Sequence, residues 1–344
     1  MLRGGIVGLG NVARNGHLPA WLARKDVRIV AAADIDSGSR GAFSAVAPGV
    51  AFHDSAEALL ERERLDFVDL CTPPASHGAV IRLALDRGLH VLCEKPLVLD
   101  ESELSELASL ASRRNRVLAA VHNWRHAPAI ALASELVRAG RIGSVRRCEW
   151  EVLRDRPSVA APRPGVPNWR VDPALSGGGI LVDHGWHAAY VLSGWMPEPL
   201  TRAGGRLEIR KYREWPVEDT ALLDLEFGDG RASVFLTWAA SERKNRVVIE
   251  GTEGTIRLED RILELVSRTG TERREIGSLS EGSHHPEWFA GTAAEFLGEI
   301  ADPERRGRSL AESAVCLEVI RLARESDRLG GAPASVREPA GRLS

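Results

Sequence analysis

From its second residue to Val121 the chain repeats one unit, a short apolar run followed by a helical pattern, and this alternation restricts the fold more than any other feature. The apolar runs are residues 3–10, Val27–Ala33, Ala51–His53, Phe67–Cys71, His90–Cys93 and Val117–Val121. Between them lie helical patterns at Asn11–Arg24, Ser37–Ala45, Ser55–Arg62, Pro74–Arg87 and Asp100–Arg114, with Ser55 and Asp100 placed as helix caps. Short strands joined by single helices have to run parallel and be covered on both faces. The predicted class is therefore α/β, an N-terminal doubly wound parallel sheet over residues 1–123.

The rhythm breaks after Asn123. A helical stretch from Ala127 to Ala139 leads to a longer strand at Val145–Leu153, then to a segment, 155–173, rich in proline. Five to seven strand candidates between Gly205 and Ile276 are separated by turns such as Gly228-Asp229-Gly230 and Glu253-Gly254. Residues 124–330 are thus expected to form an α+β domain with a large, open, mainly antiparallel sheet, closed by helices at Glu287–Ala301 and Leu310–Arg328. Residues 331–344 read as a flexible tail.

Composition excludes several classes. A net charge of −3 leaves no footprint for nucleic acid or an anionic membrane. No signal peptide or membrane span is visible. Cys71, Cys93, Cys148 and Cys316 have neither metal-ligand spacing nor the look of a disulfide framework, which fits a reducing cytoplasm.

The first strand runs into Gly8-Leu-Gly10-Asn11-Val12-Ala13, a GxGxxA turn opening a helix. Gly8 allows the tight turn, Gly10 allows close backbone approach to a pyrophosphate, and the helix start with Asn11 and Val12 offers free amides. Asp34, at the next strand end, is suited to the adenine ribose hydroxyls and repels a 2′-phosphate, so NAD is expected rather than NADP; Arg40 nearby weakens that preference. Thr72, Pro73 and His77 follow the fourth strand, on the sheet edge where open α/β sheets bind ligands. The fifth strand delivers Glu94 and Lys95 before Pro96. Lysine is scarce here (Lys25, Lys95, Lys211 and Lys244), and a buried strand ending in an ammonium group calls for a chemical use.

A second cluster is Ser176-Gly-Gly-Gly-Ile-Leu-Val-Asp183-His184-Gly-Trp-His187. On an α-helix Asp183 and His187 share a face, where a carboxylate can orient an imidazole for acid–base work, while His184 is turned away. A metal on Asp183, His184 and His187 lacks a further ligand cluster, so none is assigned. Arg125 at the crossover, and Trp169 and Arg170 after the proline-rich segment, are candidate substrate contacts, with Arg156 and Arg163 as outer ones. His284 and His285 are read as surface residues.

The run Thr72–Leu97, TPPASHGAVIRLALDRGLHVLCEKPL, resembles the signature region of the glucose–fructose oxidoreductase/inositol dehydrogenase/rhizopine catabolism (Gfo/Idh/MocA) family. The glycine motif, the GGG-led helix and the open C-terminal sheet extend the resemblance over nearly the whole chain. It implies a Rossmann domain and hydride transfer between NAD and a secondary alcohol or ketone of a sugar or cyclitol. It also implies Lys95 at the reacting oxygen, positioned by Glu94, His187 as acid/base with Asp183 as its partner, and a cis Lys95–Pro96 peptide. A homodimer or homotetramer through the second sheet is expected by the same resemblance. Two other classes remain open from sequence: a NAD-dependent glycosidase with an internal redox cycle, and a NAD-binding regulator without turnover. A ketosugar or imine reductase using NADPH is a third variant.

Overall fold

The computed structural model describes residues 1–158, 168–281 and 284–336. Its first layer is a parallel sheet of β1 (Leu2–Val7), β2 (Val27–Ala33), β3 (Ala51–His53), β4 (Phe67–Leu70), β5 (His90–Cys93) and β6 (Leu118–Ala120), in the order β3-β2-β1-β4-β5-β6. The linking helices are α1 (Leu18–Leu22), α2 (Ser37–Ser44), α3 (Ala56–Arg62), α4 (His77–Asp86) and α5 (Glu101–Arg113). Their starts are fixed by side-chain caps: Ser55 accepts from the Ala58 amide, and Asp100 accepts from those of Ser102 and Glu103. Strand order reverses between β1 and β4, so the crevice for a ligand opens beyond their carboxyl ends. One departure is the helix expected at Asn11–Arg24. It starts at Asn11 but passes through a π-helical turn, Ala13–His17, before continuing as α1.

The second layer has α6 (Pro128–Arg138), β7 (Val145–Leu153), the short α7 (Pro173–Ser176), α8 (Trp186–Trp195) and seven further strands. These are β8 (Arg202–Glu208), β9 (Thr220–Phe227), β10 (Gly230–Thr237), β11 (Lys244–Gly251), β12 (Gly254–Glu259), β13 (Ile262–Ser267) and β14 (Gly270–Glu275). After α9 (Pro286–Ala301) and α10 (Arg308–Arg328), β15 (Ala334–Ser335) adds an edge strand beside β8. The sheet order is β14-β13-β12-β11-β7-β10-β9-β8-β15, antiparallel except where β7 runs parallel to β10. The expected flexible tail is corrected at its start, because Ala334 is buried and the Val336 amide bonds to the Thr201 carbonyl. Arg147, Glu149 and Arg246 stand on the sheet with about half their side-chain surface exposed.

The closing helices also divide differently from the sequence reading. α10 packs on β8 and α8, but α9 lays Phe289, Ala293 and Phe296 into the core of the first domain, among Ile6, Trp21 and Phe67. An aromatic face of that size, worth about 1.5–3 kcal/mol per buried ring, goes where a matching cavity exists, here over Trp21 and Phe67.

Candidate active site

The carboxyl ends of β1, β2, β4 and β5 converge on one cleft. Gly8 leaves β1 at φ +87°, and a Cβ there would lie 2.7 Å from the Cys71 carbonyl carbon and the Thr72 nitrogen. A side chain would force the two strand exits apart. Gly10 has open space where its Cβ would stand, which is the cradle a pyrophosphate needs. Asp34 accepts from the Leu9 amide through Oδ2 (2.7 Å) and from the Asp36 amide through Oδ1 (2.8 Å), which fixes its carboxylate at the end of β2. Each oxygen keeps a lone pair for a ribose hydroxyl. Arg40, whose closeness weakened the preference for NAD, is tied to the Asp34 carbonyl (2.7 Å) and to Asp54 (3.1 Å). Asn11 accepts from Arg14 at 3.2 Å. These residues fit a dinucleotide.

The cleft is lined from the first domain by Val12, Cys71, Thr72, Pro74, Glu94, Lys95 and Pro96, and from the second by Trp169, Arg170, Ser176, Gly178, Gly179, Val182 and Asp183. Lys95 bridges the two walls, its Nζ donating to the Asp183 carbonyl (2.6 Å) and to Asp183 Oδ1 (2.7 Å). The Lys95–Pro96 peptide is cis. Burial alone would raise the Asp183 carboxyl, but the charge of Lys95 and the adjacent His184 outweigh it and hold the group well below the usual carboxylate range. The glycines ahead of Asp183 permit the close approach of the walls. Gly177, at φ +79°, would place a Cβ 2.4 Å from Leu99 of the first domain, and one on Gly179 would meet the Glu218 carbonyl at 1.9 Å. Glu218 Oε1 in turn accepts from the Gly179 and Leu181 amides.

Several expected placements change. Leu181–Gly185 is a π-helical turn, so residues four apart no longer stack as on an α-helix. The Asp183 carboxylate therefore faces Lys95 and, at 3.3 Å, Nδ1 of the discounted His184, instead of pairing with His187. Burial pushes His184 down to about 4, against the pull of Asp183. His187 is buried one turn on, stacked 4.7 Å over Trp124, with Nδ1 3.1 Å from the Tyr190 hydroxyl. Like His77 it is not in the cleft lining, and its Nδ1 contact with Tyr190 leaves Nε2 as the nitrogen for a substrate. Burial, then the charges of Lys95 and His184, hold its pKa well below that of a free imidazole.

His77 is neither at the surface nor in the lining. It is fully buried, with Nδ1 2.8 Å from the Pro96 carbonyl and Nε2 2.8 Å from the Thr72 carbonyl, tying together the two loops that edge the cleft. Pro73 keeps its carbonyl for Ser76. Arg125 does not reach the cleft: its guanidinium is held by Glu312 and lies 3.7 Å from Glu295, because two partly buried acids on α10 and α9 outcompete an open site for it. Trp169 and Arg170 do line the cleft, the guanidinium 4.3 Å over the indole. Arg156 is exposed and pairs with Asp155, and Arg163 lies outside the described residues. His285 stacks on Trp288 at 3.6 Å.

A buried charge network beneath the cleft escaped the sequence reading. His17 places Nδ1 2.9 Å from Asp69 Oδ2 and Nε2 3.0 Å from Glu94 Oε1. Trp21 Nε1 donates to Asp69 (2.7 Å), and Glu94 Oε2 accepts from the Lys95 amide (3.0 Å). The available signal was Asp69 itself, an acid inside the four-residue buried strand FVDL, which requires a partner. His17, Asp69 and Cys71 bring ligand-type atoms within 4.8 Å of one another. Both ring nitrogens face carboxylates, Cys71 Sγ lies 3.2 Å from Nδ1, and burial pushes the thiol up to about 12, so these groups hydrogen-bond to one another.

Both halves of the chain match known protein families. Residues 2–122 match the model of an oxidoreductase family with an NAD-binding Rossmann fold, and residues 130–257 match the GFO/IDH/MocA C-terminal domain. A protein of Amycolatopsis mediterranei (strain S699), provisionally named UDP-kanosamine synthase oxidoreductase subunit, is 30% identical over 93% of this chain and 94% of its own. D-glucoside 3-dehydrogenase of Escherichia coli (strain K12) is 29% identical over 67% of this chain and 68% of its own. Among solved structures, an oxidoreductase from Agrobacterium radiobacter in complex with NAD+, L-tartaric acid and magnesium superposes with a TM-score of 0.84 at 20% identity, covering 97% of this chain and 98% of that one. With an NAD-binding Rossmann domain, the matching C-terminal domain and both walls of the cleft in place, the chain belongs to the Gfo/Idh/MocA oxidoreductase family.

Proposed function

We propose that the protein is a dehydrogenase acting on a secondary alcohol of a sugar or cyclitol, or on the corresponding ketone, with NAD as its redox partner. The observation that carries this reading is Lys95 Nζ held on Asp183 across the cleft, directly beyond the strand ends that cradle a dinucleotide. Bound NAD supplies the hydride acceptor. Asp183 keeps the ammonium aimed at the cleft, where it donates to the substrate oxygen and stabilises the charge that develops there. His187, neutral because burial and Lys95 disfavour its cation, accepts the hydroxyl proton at Nε2. Trp169 with its stacked Arg170 closes the second-domain wall over the substrate.

Asp34 favours NAD over NADP, since its carboxylate would repel a 2′-phosphate and Arg40 is already engaged. Support for a sugar comes from the relative named D-glucoside 3-dehydrogenase. By the same reading a second copy packs on the sheet face carrying Arg147, Glu149 and Arg246. The deciding experiment is a screen of sugars and cyclitols for NADH formation, repeated with Lys95→Ala. The variant is expected to bind NAD and lose roughly 100-fold or more in turnover. Wild-type turnover in a folded, NAD-binding Lys95→Ala protein would remove the proposal.

A further inference from the structure

We propose that His17 is a positioning residue: a doubly protonated imidazolium that cross-links Asp69 to Glu94 and so holds Glu94 as a carboxylate in the wall of the nicotinamide end of the cleft.

The geometry calls for this charge state. Each ring nitrogen of His17 lies about one hydrogen-bond length from a carboxylate oxygen, 2.9 Å to Asp69 and 3.0 Å to Glu94. A neutral imidazole carries one N–H, so one carboxylate would face an unprotonated nitrogen across that distance; an imidazolium donates to both. Asp69 Oδ2 also accepts from Trp21 Nε1, which can only donate, and its Oδ1 lies 3.0 Å from the same His17 nitrogen, so neither oxygen meets an acceptor that would call for a carboxylic acid proton. With His17 1% exposed and Asp69 fully buried, two carboxylates this close to one ring require a cation between them.

The groups facing the ring come from every element packed against it: Asp69 from β4, Cys71 beyond it, Glu94 and then Lys95 beyond β5, Trp21 from α1, and His284 just before α9. Phe289 of α9 stacks on the ring at 3.7 Å, 15° from parallel, and excludes water from its other side. Burial works to lower His17, but Asp69, with Cys71 beside it, raises its pKa well above the ordinary value, and His17 with Lys95 holds Glu94 below the usual range despite its burial. The chain is continuous from α9 to the cleft: Phe289 covers His17, His17 holds Glu94 Oε1, and Glu94 Oε2 fixes the Lys95 amide. A helix that the sequence assigns to the second domain thereby seats the charge beside the cofactor.

The functional part rests on the reading that Glu94 borders bound nicotinamide, and two measurements separate its failure from that of the charge state. In the full chain labelled with ¹⁵N-histidine, one of the ten histidines is expected to keep both ring nitrogens at the protonated shift from pH 6 to 9. Its signal should vanish in His17→Gln, and in Glu94→Gln it should begin to titrate inside that window. A His17 ring with one unprotonated nitrogen across the window overturns the proposal, and the Glu94→Gln spectrum decides the assignment should His17→Gln fail to fold.

The second measurement uses NAD+ and NADH as direct probes of binding. In the wild type the Kd of NAD+ is expected to be flat between pH 6 and 8. In His17→Gln, Glu94 loses its cation and takes up a proton as pH falls, so NAD+ should weaken roughly three- to tenfold toward pH 6. NADH, which lacks the ring charge, should change little. Equal pH dependence for the two nucleotides, with the imidazolium signal present, would leave the cross-link standing and remove its role toward the cofactor.

Discussion

At the scale of single residues, the cleft rests on paired charges, Lys95 with Asp183 and, beneath it, His17 with Asp69 and Glu94. Asp183→Asn would leave Lys95 without its carboxylate; NAD binding is expected to persist while turnover on the identified substrate falls by about two orders of magnitude, read by NADH absorbance. The buried histidines make a separate prediction about stability. His77, His122, His184 and His187 all have folded pKa values lowered, first of all by burial. Below about pH 6.5 the unfolded chain binds protons that these four cannot, so stability falls as pH drops toward 4, where His184 at last titrates. His17 is raised, so its contribution is complete below 6.5 and declines as pH rises through its folded value. The melting temperature should therefore peak near pH 6.5, and a plateau reaching down to pH 4.5 in calorimetry would contradict this assignment.

At the scale of elements, two short turns decide where chemistry can occur. The glycine turn separates two effects that a single substitution usually mixes. Gly8→Ala places a side chain at φ +87° against β4 and is expected to cost about 1–3 kcal/mol from the backbone alone, lowering both the melting temperature and NAD affinity. Gly10→Ala meets nothing in the protein, so its stability should match the wild type while NAD affinity drops at least tenfold; calorimetric titration and thermal unfolding measure the two independently. The π-helical turn at Leu181–Gly185 is the element the sequence could not reveal. Nothing in Leu-Val-Asp-His-Gly distinguishes it from an α-helix, and it forms where Glu218 takes the Gly179 and Leu181 amides. That one change of winding separates Asp183 from His187 and turns it to Lys95.

At the scale of the molecule, the domains are joined by side chains that bear no chemistry of their own. Arg125 and His122, beyond β6, both reach Glu312 on α10. Glu312→Ala removes the His122 hydrogen bond and leaves Arg125 only Glu295, at 3.7 Å, and is expected to destabilise the protein by about 1–3 kcal/mol in denaturant unfolding. NAD affinity should be unchanged, because none of the three lines the cleft. A loss of affinity equal to the loss of stability would show that the seam shapes the site directly.

The sequence by itself determined the parallel sheet, its ligand edge and most of the residues on it. Strand and helix periods, the Gly8–Gly10 turn, Asp34 and the Glu94–Lys95 strand end are local patterns, and local sterics force them. It also supplied Asp183, Trp169 and Arg170 as cleft residues, though not whom they face. Only the tertiary structure decided the pairings: Lys95 with Asp183, Arg125 with Glu312, His77 under two loops, and His17 between Asp69 and Glu94 beneath Phe289. The reason is physical. A buried charge must find a partner, but periodicity carries no information about which of several distant acids comes within 3 Å; that is settled by how the helices of one domain pack on the sheet of the other.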